Sequence, residues 1–266
     1  MKNHFLKSGL LLALITTMTV SCKKNAAETP LENINVNAKK TELNDNFTCQ
    51  MKIAKNGGPV TEGNGAASKR WANGSTVKVR FTGGSAYVRN KVKQYAKSWE
   101  TYANITFSFV ADNASADIKI AFDDEGSWSA LGTDARSYST SMNFGWFDNN
   151  TADTEFRRTT VHEFGHALGL DHEQSHPDAN IPWNTQAVYD YYMGAPNYWS
   201  KEDVDFNVLS VNSRSGLSYT AYDTKSIMHY PVEARFTTNN KAIAPNNTTL
   251  SQGDINYVKM YYPGRN

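Results

Sequence analysis

The sequence predicts an α+β fold, in which a twisted mixed sheet with two helices precedes an irregular C-terminal part. Two observations carry this prediction. The patterns that follow residue 70 come in the order strand, helix, strand, strand, which is typical of a mixed sheet. Beyond residue 169 the periodic segments are short and widely spaced, which indicates a loop-rich second half. The chain has 266 residues, 39% of them hydrophobic, so it can bury a sizeable core and is not disordered as a whole.

The elements of the sheet follow from two periodicities. Apolar residues at alternate positions indicate half-buried strands at 75–81, 105–110 and 118–122. Residues 88–102 indicate a helix, because one helical face carries the apolar side chains Val88, Val92, Tyr95, Ala96 and Trp99. Residues 126–134 are predicted to form a loop, and residues 141–147 are predicted to form an edge strand.

The strongest helical pattern lies at residues 153–168. It begins near three residues suited to a first turn, Asp153-Thr-Glu155, and ends at Gly169, a residue that commonly follows helices. Short helices are predicted at 183–192 and 201–208. Residues 251–261 are predicted to form a closing helix with Ser251 as its N-cap.

Charge and cysteine content exclude two classes of protein. Residues 1–60 carry eight lysines and four acidic residues, which leaves residues 61–266 with a net charge of −3. Such a mildly acidic body is not expected to bind nucleic acid. Both cysteines, Cys22 and Cys49, precede the region predicted to fold, so a disulfide-stabilised domain is excluded.

The first 22 residues resemble an export signal. Lys2 and Lys7 precede an apolar run at 10–20, which is shorter than the about 20 residues that a membrane-spanning helix needs. The run ends at Ser21-Cys22, in a stretch that resembles a bacterial lipoprotein box. The protein is therefore expected to be secreted, or held at the outer surface of a bacterium through a lipid on Cys22. No other contact with a membrane is expected.

Residues 23–65 have the composition of a pro-segment and linker. They are polar and become Gly-rich from residue 56, but a less polar island interrupts them at 47–53. Two interpretations stay open, a loose tether or a pro-segment whose island docks on the following domain. That domain is predicted to cover residues 66–266.

Three histidines in the stretch 162–172 have the spacing of a zinc site. His162 and His166 are four residues apart, so on a helix they leave the same face about 6 Å apart along the axis. Gly169 can adopt a left-handed backbone conformation that ends the helix and turns the chain, so that His172 reaches the same ion. Three nitrogen ligands with an open fourth position are typical of catalytic zinc rather than structural zinc.

Glu163 follows the first of these histidines and is predicted to be a general base. Zinc lowers the pKa of its bound water to about 7, and a nearby carboxylate can take the proton as that water attacks a carbonyl. The pattern therefore predicts metal-assisted hydrolysis. The alternative is a surface lipoprotein that binds a ligand or matrix without catalysis and has a non-catalytic zinc site, although such a site has no use for Glu163.

The stretch His162-Glu-Phe-Gly-His-Ala-Leu-Gly-Leu-Asp-His172 resembles the extended motif of the metzincin zinc endopeptidases at every fixed position. Ser226-Ile-Met-His-Tyr230 resembles the Met-turn of the astacin family, and this resemblance extends over roughly 71–263. It implies a metzincin-type catalytic domain with a zinc cleft. It also implies that Met228 forms a hydrophobic floor under the metal and that Tyr230 is a fifth zinc ligand that can swing away. A phenol in that place can donate a hydrogen bond to an oxyanion.

Some family features are present and others are changed. The resemblance implies that Glu173 contacts the mature N-terminus. The disulfides of the family are missing, and the arginine common after the third ligand is His176 here. The usual aspartate latch of the pro-segment is replaced by Phe47-Thr-Cys-Gln50, so Cys49 is predicted to bind zinc in the latent form only. A similar cysteine latch is associated with the myroilysin-like bacterial members.

These features together predict a secreted zinc endopeptidase that is made as a latent precursor and cleaves proteins or peptides with one catalytic zinc ion. Glu163 and Tyr230 are the predicted catalytic residues. An extended substrate is expected to lie along the edge strand at 141–147, because unpaired strand edges accept an added strand. A narrow peptide-processing enzyme is the remaining alternative. The protein is expected to be a monomer, and the sequence does not predict its specificity.

Overall fold

A six-stranded mixed sheet forms the N-terminal part of the described chain. The computed structural model describes residues 49–52, 67–123, 126–214 and 220–265. The strands are β1 Cys49–Lys52, β2 Thr76–Phe81, β3 Thr106–Phe109, β4 Ile118–Ala121, β5 Ser127–Ala130 and β6 Met142–Phe144. Across the sheet they stand in the order β1-β5-β6-β4-β2-β3.

The strand pairing confirms the predicted mixed sheet. β2 pairs in parallel with β3 and β4, and β4 pairs in parallel with β6, whereas β5 and β6 are antiparallel. β1 adds a parallel strand on the outer side of β5. In β2 the side chains of Val77, Val79 and Phe81 are buried while those of Thr76 and Lys78 are exposed, as the alternating pattern predicts.

Two predictions about the edge of the sheet are wrong. Residues 126–134, predicted to be a loop, contain β5, a short strand whose four residues are all buried. Residues 141–147, predicted to be an edge strand, contain β6, which has β4 on one side and β5 on the other. Without β1, the strand at this edge of the sheet is β5, and β1 pairs along its free side.

Two helices pack on the sheet, as the sequence predicts. They are α1 Ala86–Ala96 and α2 Asp153–Ala167. α1 ends earlier than predicted, because the chain tightens into a 3₁₀ turn at Trp99–Thr101. Trp99 is nevertheless buried, and its indole N–H donates to the carbonyl oxygen of Val161 in α2 at 2.8 Å.

The second half of the described chain is rich in loops, as predicted. Its helices are α3 Thr185–Tyr192, α4 Lys201–Val204 and α5 Gln252–Tyr261, and a π-helical turn, Asp205–Leu209, follows α4. Ser251 caps α5 as predicted, because its hydroxyl accepts the backbone N–H of Asp254 at 3.0 Å. This half has a buried cluster of its own, to which Val188, Tyr192, Val204, Val208 and Tyr230 belong.

The segment 226–230 joins the two buried clusters. Ile227 and Met228 belong to the cluster around the sheet, whereas Tyr230 belongs to the cluster of the second half. The Nδ1 atom of His162 in α2 lies 2.8 Å from the carbonyl oxygen of Ile227. The histidine-bearing face of α2 therefore meets the second half of the chain at this segment.

All described residues belong to one compact unit, Thr41–Asn266. A search of the described residues finds no helix with the length and hydropathy of a membrane span. The predicted signal at 1–22 with Cys22, and all of the predicted pro-segment at 23–65 except 49–52, lie outside the described residues.

Candidate active site

His162, His166 and His172 come together at one point. The first two project from α2 one turn apart. Gly169 then adopts a φ of 91°, in the left-handed region that favours glycine, and the chain turns back toward the helix. Each histidine offers one ring nitrogen, and these atoms all lie within 4.8 Å of one another. The three side chains could therefore hold a single metal ion.

Backbone carbonyl groups orient two of these rings. Nδ1 of His162 lies 2.8 Å from the carbonyl oxygen of Ile227, and Nδ1 of His166 lies 2.8 Å from that of Leu170. A ring nitrogen must carry the proton to donate to a carbonyl, so Nε2 of each ring is left with a lone pair. Such contacts on the far nitrogen are usual for histidines that bind metals.

The arrangement of the Nε2 atoms fits a cation. Nε2 of His166 lies only 3.1 Å from Nε2 of His172. Two lone pairs at this distance repel each other unless a proton or a metal ion lies between them. Burial lowers the pKa of His166 to about 4 and lowers the pKa of His162 and His172 well below the ordinary value. Neutral imidazoles result, and these are the form that binds a metal.

Glu163 is fully buried beside this cluster. Neither of its carboxylate oxygens has a hydrogen-bond partner within the described part of the chain, and the same holds for Nε2 of His162 and the hydroxyl of Tyr230. Burial raises the pKa of Glu163 to about 8, while the nearby Cys49 and Arg158 side chains lower it to a smaller extent. Buried polar groups are rarely left without partners. A metal ion and its bound water would satisfy all three groups, so the donor set fits a zinc site.

Met228 packs against α2 behind the histidines. It is almost fully buried, and a Cβ atom placed on Gly165 would lie 2.4 Å from its sulfur atom. A larger residue at position 165 would therefore displace the Met228 side chain, so the absence of a side chain at Gly165 allows Met228 to pack closely on α2.

Asp254 holds the segment 226–230 in place. Its carboxylate accepts the hydroxyl of Ser226 at 2.6 Å and the backbone N–H of Ile227 at 2.9 Å. This residue was not predicted from the sequence to support the site. The available signal was its position three residues after the Ser251 cap, where an acidic side chain completes a capping box.

Tyr230 lies at the side of the histidine cluster. Its ring centroid is 4.4 Å from that of His172 and 6.0 Å from that of His162. The side chain is 3% exposed, and burial raises the pKa of the phenol well above its ordinary value. The hydroxyl is therefore protonated and can donate a hydrogen bond.

Strand β1 brings Cys49 to the same cluster. Its sulfur atom, a carboxylate oxygen of Glu163 and a nitrogen of His162 all lie within 4.8 Å of one another. Cys49 is 1% exposed, and burial raises the pKa of its thiol well above the ordinary value. The thiol therefore lies buried beside His162 and Glu163.

Arg158 is a second residue near the site that was not predicted from the sequence. It precedes His162 by one helical turn, and this spacing alone could have indicated that it lies on the same face of α2 as the histidines. Its guanidinium binds both carboxylate oxygens of Glu155, at 2.8 and 2.6 Å, in a buried ion pair. Arg158 lines a small cavity together with Cys49, His162 and Tyr230, so this ion pair lies beside the site.

The site thus combines three histidines, a buried carboxylate and a phenol within an α+β fold. The family model described as Astacin, a peptidase family, matches residues 64–262 of this sequence. The chain belongs to the astacin family. The predicted fold class is therefore confirmed, and the cofactor of this family is one catalytic zinc ion.

The chain is also similar to several individual proteins. The solved structure of myroilysin is 50% identical, with a TM-score of 0.72, and the match covers 76% of this chain and 99% of that one. Serralysin B of Dickeya chrysanthemi is 29% identical over 149 residues, which are 49% of this chain and 30% of the relative. Zinc metalloproteinase nas-30 of Caenorhabditis elegans is 28% identical over 163 residues, which are 60% of this chain and 19% of the relative. The chain thus spans less than a third of these two curated relatives, while its likeness to myroilysin confirms the predicted kinship.

Glu173 lies in a second, acidic cavity of this astacin-family domain. Its carboxylate accepts the backbone N–H of Asp223 at 2.8 Å. Asp171, Asp223 and Asp254 line the same cavity. An excess of carboxylates suits a cationic group such as a chain N-terminus. Contact between Glu173 and the mature N-terminus stays a prediction.

His176 has a structural place near this cavity. It is fully buried, its Nε2 lies 2.9 Å from the carbonyl oxygen of Thr220, and its Nδ1 accepts the backbone N–H of Asp178 at 2.9 Å. The residue therefore connects separate loops of the second half.

Proposed function

We propose that this chain is a zinc-dependent endopeptidase that is exported as a latent precursor. The observation that carries the proposal is the fully buried Glu163 carboxylate, which has no hydrogen-bond partner among the described residues and lies beside three histidine nitrogens able to hold one metal ion. Burying a carboxylate without a partner costs free energy. A structural metal site gains nothing from such a group that would offset this cost. A hydrolytic site requires it as a base.

The proposed mechanism assigns one task to each side chain. His162, His166 and His172 hold the zinc ion, which when bound acidifies water and polarises a carbonyl. Glu163 takes a proton from the attacking water and delivers it to the nitrogen of the leaving amine. The hydroxyl of Tyr230 donates a hydrogen bond to the oxygen that becomes negative as the peptide bond is attacked. Met228 keeps the metal-binding face of α2 at a fixed distance from the rest of the site.

Peptide cleavage and metal dependence test the proposal together. Processed protein is incubated with a peptide library, and the cleaved bonds are identified by mass spectrometry. We expect cleavage within peptides, its loss after chelation, and its return when zinc is added. Binding of peptides without cleavage would instead support the surface lipoprotein with a non-catalytic zinc site. Cleavage of only a few closely related sequences would support the narrow peptide-processing enzyme.

Export is part of the proposal and is supported by the start of the sequence. The basic and then apolar residues at 1–22 suit a secretion signal, and Cys22 suits a lipid anchor. After export, cleavage between residues 50 and 71 would remove the pro-segment. The new N-terminus would then lie close enough to the domain to enter the acidic cavity beside Glu173.

Latency is proposed to depend on Cys49. The thiolate is a strong zinc ligand, and a sulfur atom in the open position excludes the water that attacks the substrate. Pairing of β1 with β5 holds the sulfur beside His162 and Glu163.

The Cys49→Ser precursor is expected to lose this latency. A hydroxyl is a poor zinc ligand at neutral pH, so the unprocessed variant should cleave peptides or process itself faster than the unprocessed wild type. Both are purified without the signal and assayed before proteolysis. Gln50→Ala, a change in the same strand at a half-buried position, serves as the control and should stay latent. Equal latency in the Cys49→Ser and wild-type precursors would show that another group blocks the site.

A further inference from the structure

Strand β1 is held along both of its edges. On one edge it pairs with β5, and the backbone N–H of Leu131, just beyond β5, donates to the carbonyl oxygen of Lys52 at 3.3 Å. On the other edge the backbone N–H of Met51 donates to Oδ1 of Asn207 at 3.0 Å. The space that β1 occupies, between β5 and Asn207, is called the groove; it therefore offers hydrogen bonds from two sides, the sheet and the second half of the chain.

Asn207 is held firmly in this orientation. It lies in the π-helical turn after α4 and is 3% exposed. Its Nδ2 donates to the carbonyl oxygen of Asp203 at 3.0 Å, so the amide is oriented with Oδ1 toward β1. A fixed acceptor of this kind binds a partner without first losing conformational freedom.

A short chain of hydrogen bonds connects Asn207 to the catalytic tyrosine of the proposed mechanism. The backbone carbonyl of Asn207 accepts Nε2 of Gln174 at 2.7 Å, and Oε1 of Gln174 accepts the backbone N–H of Tyr230 at 3.1 Å. Gln174 is 1% exposed, so both bonds are shielded from water. The acceptor and the phenol therefore keep a constant relative position.

Removal of the pro-segment would take away the N–H that Oδ1 of Asn207 accepts. Water can then reach Oδ1, and a substrate N–H would replace that water. The N–H of Met51 is a backbone group that every extended peptide repeats, so a substrate can replace it whatever its side chains are. Met51 is two residues from Cys49, which places Asn207 about 6 to 7 Å along the groove from the metal-binding position.

We propose that Asn207 is a positioning residue for the substrate. Its Oδ1 accepts one backbone N–H of an extended peptide, about two residues from the scissile bond, while the opposite edge of the peptide pairs with β5. This inference rests on the proposed peptidase function. The Asn207 contact lies on the side of the groove opposite the sheet. A peptide that is hydrogen-bonded from both sides has a more restricted orientation at the site than one bound by β5 alone.

Substrates with backbone esters distinguish direct contact between Asn207 and the substrate from a merely structural role of Asn207. The probe is the peptide cleaved fastest in the library, remade with an ester in place of one amide at a time on both sides of the scissile bond. Each ester lacks one N–H. For wild-type processed enzyme, we expect the ester at one position about two residues from the scissile bond to lower kcat/KM roughly 2- to 10-fold. In Asn207→Ala the same ester should have no further effect, while the effects of esters that face β5 persist.

A second variant and a control keep the result interpretable. Asn207→Ser has a side chain too short to reach the groove, but its hydroxyl can still bond to a carbonyl of the preceding turn, so it replaces Asn207→Ala if that protein does not fold. Asn184→Ala, which removes the N-cap of α3, should retain all ester effects of the wild type. Thermal unfolding and zinc content are measured for each protein.

The outcomes separate this inference from the proposed function. If the wild-type enzyme cleaves the peptides and every ester effect is the same in the Asn207 variants, Asn207 does not contact the substrate, although the protein is a peptidase. If the wild-type enzyme cleaves no peptide, the proposed function itself is wrong.

Discussion

Replacing Glu163 with alanine is expected to lower kcat by about 100- to 10,000-fold, the usual range for loss of a general acid–base group, while zinc content stays close to that of the wild type. The carboxylate accepts no hydrogen bond from the described residues, so its removal breaks none that orients the histidines. His162 and His166 keep their contacts with backbone carbonyl oxygens. Steady-state kinetics and metal analysis of the same sample provide the measurement.

Two further variants make the Glu163 result specific. Glu163→Gln keeps the shape of the side chain but cannot accept a proton, so it should lose nearly as much activity as Glu163→Ala. Glu202→Ala removes an exposed acid in α4 and should leave kcat unchanged. Turnover close to the wild-type rate in Glu163→Ala would contradict the assignment of the base. Loss of zinc from that variant would indicate that Glu163 supports the metal site instead.

Replacing Tyr230 with phenylalanine is expected to lower kcat by about 100- to 1,000-fold, the usual effect of losing one donor to an oxyanion, with a much smaller change in KM. The ring can keep its packing in the second buried cluster. The hydroxyl has no partner among the described residues, so the fold loses no hydrogen bond. Separate values of kcat and KM on one defined peptide distinguish lost catalysis from lost binding.

Tyr95→Phe is the matched control for this prediction. The Tyr95 hydroxyl donates to Asp153 at the start of α2, far from the histidines, so its loss should cost stability but little kcat. Equal kcat values for Tyr230→Phe and the wild type would restrict Tyr230 to a packing role. An equal fall in both variants would indicate a general loss of order rather than a lost donor.

The sequence predicted best those elements whose pattern is local. Alternation in β2 and the long helical pattern of α2 depend only on residues a few positions apart, and both elements are present. β5 was missed because its four residues, Ser-Trp-Ser-Ala, include only one strong strand former, and Gly126 and Gly132 lie on either side of them, as in a loop. The edge was assigned to the wrong strand because strand order depends on pairing between distant segments.

The sequence by itself determined the three candidate zinc ligands, the candidate base Glu163 and the family. Their geometry is set within a stretch of eleven residues by helical spacing and one glycine, so it can be read without the rest of the fold. Only the tertiary structure decided what surrounds them. Asp254 reaches the segment 226–230 from a helix that begins about 20 residues later, and Asn207 meets Met51 across 156 residues of chain. Such contacts depend on how the two buried clusters pack against each other, and no local pattern records that packing.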